Sequence, residues 1–273
     1  QLYLELTEQF VESLNNVCIP FGMKLEYPEM IQLQNDRPET YMGVLKNKVQ
    51  RNTDLAVCML PNNRKDRYDA LKKYLCLDVP VPSQMVLSKT VAKRGQLMSV
   101  ATKIGIQINA KLGGEIWSVT IPSKTMIIIG LDTYKDSKQR NSRVSAFVAS
   151  TNPTCTRFYS RIIYENTPEQ LFNGIVECMH VTNQNWFDFY LISQCARQGT
   201  VAPTHYNVVW NSTNLKAEHF QRLTFKLCHL YYNWPGTIRI PAVCQYAFKL
   251  AFLVSQSLHE DFDYSLADKL FYL

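Results

Sequence analysis

Tyr68 and Lys72 stand four residues apart, so a helix carries both on one face. Gln84 opens a strand-like stretch further on, and Lys111 ends the polar stripe of a later helix. An aromatic ring, two ammonium groups and an amide suit one kind of ligand, a terminal nucleotide bearing a phosphate. The ring stacks on the base, the ammonium groups neutralise the phosphate and the amide donates a hydrogen bond. Helix N-termini nearby can add backbone donors. Tyr-x-x-x-Lys is also the pattern of a solvated helix face, and spacing does not choose between the two.

A second set is sparser. Asp132 follows an apolar strand that ends at Gly130, and His205 lies in Pro203-Thr204-His205-Tyr206. A carboxylate and an imidazole are metal ligands, but an Asp after a strand is commonly a turn residue and a lone His commonly a structural one. Eight cysteines, Cys18, Cys58, Cys76, Cys155, Cys178, Cys195, Cys228 and Cys244, form no CxxC pair. They read as buried reduced thiols rather than a zinc site.

Periodicity supplies the elements that must hold these groups. Leu6, Phe10 and Leu14 mark a helix over Leu2 to Asn15. Leu55 to Leu60 reads as a buried strand, Lys65 to Cys76 as a helix and Ser83 to Lys89 as a strand. Gly95 to Leu112 is an amphipathic helix. Leu97, Val100, Ala101, Ile104, Ile108 and Leu112 form one stripe, and Lys103, Gln107 and Lys111 another. Gly113-Gly114 ends it with a left-handed cap. Strands follow over Thr125 to Gly130, Val144 to Ser150 and Arg157 to Tyr164, as a local antiparallel meander. Then come a helix over Pro168 to Met179, a strand over Tyr206 to Trp210, and helices over Leu215 to Tyr231 and Pro241 to Leu258. The domain boundary falls near Gly114 to Pro122.

Composition bounds the class. The 273 residues are 46% hydrophobic and 19% charged, enough apolar material for a core. No apolar run reaches the length of a membrane span. The net charge of +6 is concentrated: Lys46 to Lys111 holds 13 Lys and Arg against 4 Asp and Glu. A concentrated basic region suggests a polyanionic partner; the alternative is a merely soluble basic face, which charge alone favours. A first residue of Gln1 suggests a piece of a longer protein.

The stretch from Arg67 to Gly114 (RYDALKKYL, then VPSQMV, then SVATKIGIQINAKLGG) resembles the MID domain of PIWI-clade Argonautes. Arg197 to Leu273, with APTHYNVVW, TFKLCHLYYNWPGTIRIPAVCQYA and the final LFYL, is similar to the same family. The resemblance covers the chain from about Ala56. It implies an α/β fold, with a Rossmann-like MID domain over 1–115 and a ribonuclease-H-like PIWI domain over 116–273. It assigns Tyr68, Lys72, Gln84 and Lys111 to the 5′ phosphate of a guide RNA, with Asn109 assisting. Gln107 stands where the Argonaute clade proper has a second lysine. In PIWI proteins a Mg2+ ion joins the phosphate, together with the C-terminal carboxylate, here that of Leu273.

The resemblance also implies a cutting site, and shows it incomplete. Family members that cut RNA use an Asp, Glu, Asp, His tetrad around two metal ions. Asp132 matches the first ligand and His205 the last. The glutamate position falls on Gln170, beside Glu169, and the family's Arg-Asp-Gly motif occurs nowhere. The PIWI domain is internally truncated near 178–182, where the chain runs straight on into Val181. The expectation is therefore a binding protein for a small guide RNA (piRNA) and its target RNA in transposon silencing, probing transcripts without cutting them. The alternative is an active metal-dependent endonuclease that recruits another aspartate, such as Asp188. A remnant that does not fold is a third reading. The resemblance further implies a cytoplasmic protein, with perinuclear granules or the nucleus as other sites. Tudor-domain partners would bind through regions outside this chain.

Overall fold

A computed structural model describes residues 2–93, 95–122, 126–138, 142–165, 187–195 and 199–273. The expected helix over Pro168 to Met179 lies outside the described residues, as do Glu169, Gln170 and Cys178. The chain divides into two compact units: Gln1–Ile116 with Gln256–Leu273, and Trp117–Ser255. The first division comes after Ile116. The C-terminal segment, read from sequence as part of the second domain, belongs instead to the first unit. Its apolar residues explain why. Phe262, Leu266, Leu270, Phe271 and Tyr272 are all buried, and the Asp263 amide donates to the Cys76 carbonyl at 2.9 Å.

In the first unit, α1 (Leu2–Cys18) and α2 (Pro38–Lys48) precede β1 (Ala56–Leu60), α3 (Lys65–Lys73), β2 (Ser83–Leu87), a single turn α4 (Ser88–Val91) and α5 (Leu97–Lys111). β1 and β2 are parallel, with Ala56 opposite Ser83 and Leu60 opposite Leu87. Parallel strands need a crossover, and α3 supplies it. Leu71 of α3 packs with Tyr41 and Leu45 of α2 and with β1. On the other side, Phe10, Leu14 and Val17 of α1 meet Ala101, Ile104 and Ile108 of α5. This is the apolar stripe read from sequence, except that Leu112 lies at the cap and is exposed. Gly113 takes φ +85°, and Gly114 donates to the Asn109 carbonyl at 2.8 Å, closing α5 as the glycine pair requires.

α3 does not stop cleanly. It runs into a π-helical turn over Tyr74–Asp78, where the Val79 amide donates to the Tyr74 carbonyl at 2.9 Å. Tyr74, Leu75 and Cys76 are buried by this wider turn.

The second unit contains the meander β3 (Ile129–Lys135), β4 (Arg143–Ser150) and β5 (Phe158–Glu165), antiparallel in that order. It also contains the antiparallel pair β6 (Phe187–Leu191) and β7 (Thr204–Val208), then α6 (Ala217–Leu227) and α7 (Ala242–Leu253). Val144, Ala146 and Val148 of β4 are fully buried, as alternation on one sheet face demands. α7 packs on this sheet. Phe158 meets Tyr246 edge to face at 5.0 Å, and Tyr134 meets Phe252 at 5.2 Å. The Tyr246 hydroxyl donates to the Leu230 carbonyl at 2.7 Å and accepts from the Tyr232 amide at 2.9 Å, so its burial leaves no polar group unpaired.

α7 comes so close to β3 that only glycine fits at Gly130. A Cβ there would lie 2.4 Å from the Val243 carbonyl oxygen, a backbone atom that cannot swing aside. Gly130→Ala is expected to destabilise the second unit by about 1–3 kcal/mol through overpacking. Trp117, Trp210 and Trp234 lie in this unit, so tryptophan fluorescence reads the unfolding midpoint. An unchanged midpoint would contradict the close approach.

Candidate functional site

The start of β2 is clasped between two lysines. Lys72 comes from α3 and Lys111 from the end of α5, and they are only 3% and 2% exposed. The Lys72 ammonium donates to the Ser83 hydroxyl at 3.0 Å and to the Ser83 carbonyl at 3.5 Å. The Lys111 ammonium donates to that same carbonyl at 2.8 Å and to the Gln84 side-chain oxygen at 2.7 Å. Gln84, in turn, donates through its amide nitrogen to the Gln107 side-chain oxygen at 3.0 Å. Among the described residues no carboxylate forms an ion pair with either lysine.

Two buried ammonium groups sharing one carbonyl oxygen without a counter-ion are expensive. The cost is visible at Lys111. Burial, and then the neighbouring Lys72 charge, push its pKa well below the ordinary lysine value. A buried dianion would reverse both effects.

The structure thus brings Lys72, Gln84 and Lys111 together. Tyr68 stands one turn before Lys72 on α3, half-buried. Asn109 is not part of the group. It lies two residues before Lys111, on the far side of the helix, and its amide nitrogen donates weakly to the Met23 sulfur at 3.9 Å. Its side-chain oxygen is buried without a partner. Leu273 belongs to the same unit, but among the described residues its carboxylate forms no ion pair with either lysine. Sequence reasoning passed over Ser83, whose only local signal is its place beside Gln84.

In the second unit Asp132 lies inside β3, opposite Ala146, rather than in a turn after the strand. The apolar run before Gly130 is not a buried strand, since Ile127 and Ile129 are exposed; the ladder with β4 sets the strand limits and moves them on to Lys135. The Asp132 carboxylate accepts from the Thr133 amide at 2.8 Å. Burial nevertheless raises its pKa above the usual carboxylate value. His205 lies inside β7, opposite Tyr190 of β6, whose ring stacks on it at 4.5 Å. Its Nε2 is 2.7 Å from the Asp188 carboxylate. Among the described residues, no three His, Cys, Asp or Glu side chains form a group able to hold a metal ion.

A carboxyl with a raised pKa in the folded state binds protons that the unfolded state has released. Its burial therefore costs stability once the pH exceeds the unfolded value. Asp132→Asn is expected to raise the unfolding midpoint of the second unit at pH 7. The gain should shrink as the pH falls towards the ordinary value of 3.8. A variant less stable than the parent at pH 7 would mean that the charge is already compensated.

A parallel strand–helix–strand unit with a buried lysine pair is followed in sequence by an antiparallel meander under a helix. Likeness to known proteins identifies these as the α/β lobe of Argonaute-type proteins, a Rossmann-like MID domain and a ribonuclease-H-like PIWI domain. The crystal structure of Drosophila Piwi matches all of this chain, and 49% of its own length, with a TM-score of 0.91 at 30% identity. A Kluyveromyces polysporus Argonaute crystallised with a guide RNA matches 98% of the chain, and 48% of its own, at TM-score 0.83. At 13% identity that likeness shows the fold alone.

The family model of the Piwi domain matches residues 55–181 and 171–259, and the chain belongs to that family. Piwi-like protein 1 of Gallus gallus is 34% identical over 98% of this chain and 41% of its own length. Protein argonaute-3 of Drosophila melanogaster is 33% identical over 99% and 41%. The chain therefore spans about two-fifths of the length of these relatives. The first alignment runs over 357 positions against a chain of 273, so at least 84 positions of the relative have no counterpart here. The two matched stretches meet at 171–181, next to the truncation read from sequence.

Proposed function

We propose that this chain binds the 5′-phosphorylated end of a small guide RNA, a piRNA, in Piwi-type silencing of transposons and genes, and that it does not cut the target. The carrying observation is the Lys72–Lys111 pair on the Ser83 carbonyl, buried with no carboxylate paired to it among the described residues. A terminal phosphate supplies the missing charge, and Tyr68 supplies a ring on the same helix for the first base. The relative crystallised with a guide RNA shares this fold, which supports the reading. Target RNA then pairs with the guide, and the cytoplasm is the proposed place of action.

A Mg2+ ion beside the phosphate belongs to the same proposal. Mg2+ takes oxygen ligands and enters with phosphates rather than into an all-protein cage. Of the residues present, the Leu273 carboxylate suits it. Ser83 and Gln84 do not, because their oxygens already accept from ammonium groups. The ion would neutralise phosphate charge.

The endonuclease reading has one observation in its favour, the contact between His205 and Asp188. Against it stand Gln170 at the glutamate position and the lack of an Arg-Asp-Gly motif in the sequence.

The test is binding of a short single-stranded RNA with and without a 5′ phosphate, at fixed salt with magnesium, followed by incubation with a complementary target. At least tenfold tighter binding of the phosphorylated strand and an intact target are expected. Equal affinities would overturn the binding proposal, and metal-dependent cleavage lost in Asp132→Ala would overturn the non-cutting one.

A further inference from the structure

We infer that Ser83 is a positioning residue for the phosphate site, holding both ammonium groups aimed at the ligand; the inference rests on the 5′-phosphate reading above. Ser83 is buried, at the first residue of β2. Its hydroxyl accepts from Lys72 and its carbonyl from both Lys72 and Lys111. The two lysines arrive from different helices and share no other acceptor among the described residues. Gln84 serves only Lys111.

An ammonium on a four-carbon stem is otherwise free to rotate, and ordering it costs side-chain entropy. Ser83 meets that cost when the fold forms, before any ligand arrives. It does so with neutral acceptors, so the positive charge remains available to an anion. An aspartate at the same place would hold the lysines equally well but would cancel their charge. The serine hydroxyl, having accepted from Lys72, also keeps its own proton to donate.

Without the hydroxyl, Lys72 keeps only the long 3.5 Å contact to the carbonyl. Its ammonium then has a reason to leave the site. The Lys111 contacts are made through a backbone oxygen and Gln84, and survive the change. The loss should therefore fall on one of the two charges.

The experiment compares Ser83→Ala, Ser83→Cys and Ser83→Thr with the parent in the whole chain, using the same RNA with a 5′ phosphate or a 5′ hydroxyl. The readout is the affinity ratio between the two RNAs and its slope against salt. About a tenfold fall in the ratio is expected for Ala and for Cys, which keeps the size but is a poor acceptor. The salt slope for the phosphorylated RNA should fall with it, because fewer charges are neutralised. Thr, which restores the hydroxyl, should restore the ratio. A purely structural role would change both RNAs together and leave ratio and slope intact, and that result would overturn the inference. A parent with no phosphate preference overturns the functional reading and this inference together. A parent with preference and a Cys variant that keeps it overturns this inference alone.

Discussion

Lys111→Met should weaken the preference for a 5′-phosphorylated RNA by roughly 10- to 100-fold while making the empty protein more stable. The first effect follows from the loss of a charge-assisted hydrogen bond to phosphate in a buried place, where such bonds are worth about 1.5–3 kcal/mol. The second follows from the direction of the Lys111 pKa, depressed by burial and by Lys72. The unfolded chain carries the proton up to the ordinary value of 10.5. The folded chain gives it up at a lower pH. Between the two values folding must release a proton, so stability falls as the pH falls.

Removing the amine removes that cost. The unfolding midpoint of Lys111→Met should exceed that of the parent at pH 7, and the gap should close as the pH approaches 10.5. Methionine keeps the apolar stem, so packing changes little. Hydrogen exchange of the first unit across a pH series measures the stability, and competition binding measures the preference. A variant that loses stability at pH 7 would show Lys111 to be a satisfied core lysine, and the case for an anion at that place would fail. Such a trade, in which a group harms the fold and serves the ligand, is the mark of a site rather than a core.

Lys111 also shows where sequence reading stopped. Its helix was legible, because the 3.6-residue period of Ala101, Ile104 and Ile108 is a local property. The polar stripe was legible too. What the period does not show is that the stripe descends: Lys103 is exposed, Gln107 half-buried and Lys111 buried. Depth depends on what another part of the chain places opposite the helix end, here the start of β2. The place of Asn109 is hidden for the same reason. Its nearness to Lys111 in sequence concealed a difference of face. α2 went unseen because only Tyr41 and Leu45 of its residues are buried, too few for a pattern. The contact between Asp188 and His205 depends on the register of β6 against β7. Such pairing is not encoded in either strand alone. The family resemblance located His205, but could not say which carboxylate it meets.

The placement of Lys72 depends on a residue that touches no ligand. Arg67 precedes it on α3 and is fully buried. Its guanidinium pairs with Asp36 and donates to the Asn62 carbonyl and side-chain oxygen at 2.7 and 2.8 Å. It also lies 5.7 Å from the centre of the Tyr41 ring. The Tyr41 hydroxyl donates to Asp36 at 3.1 Å, and burial first, then Asp36, push its pKa up to about 12. One side chain thus ties α3 to α2, to the segment before α2 and to the turn after β1. Arg67→Ala leaves Asp36 with the Tyr41 hydroxyl alone and removes the donor to both Asn62 oxygens. Because Asp36 is 37% exposed, water compensates part of the loss, and the cost to the first unit should be about 1–3 kcal/mol. Arg67→Lys should recover little, because a single ammonium cannot reproduce the fork that reaches Asp36 and Asn62 at once. Tryptophan fluorescence is a poor reporter of this change, since among the described residues the tryptophans lie in the second unit. Hydrogen exchange of the α3 amides is the suitable measurement. A loss under 1 kcal/mol would mean that the network is dispensable, and that the apolar contacts of Leu71 and Leu75 alone hold α3, and with it Lys72, against β2.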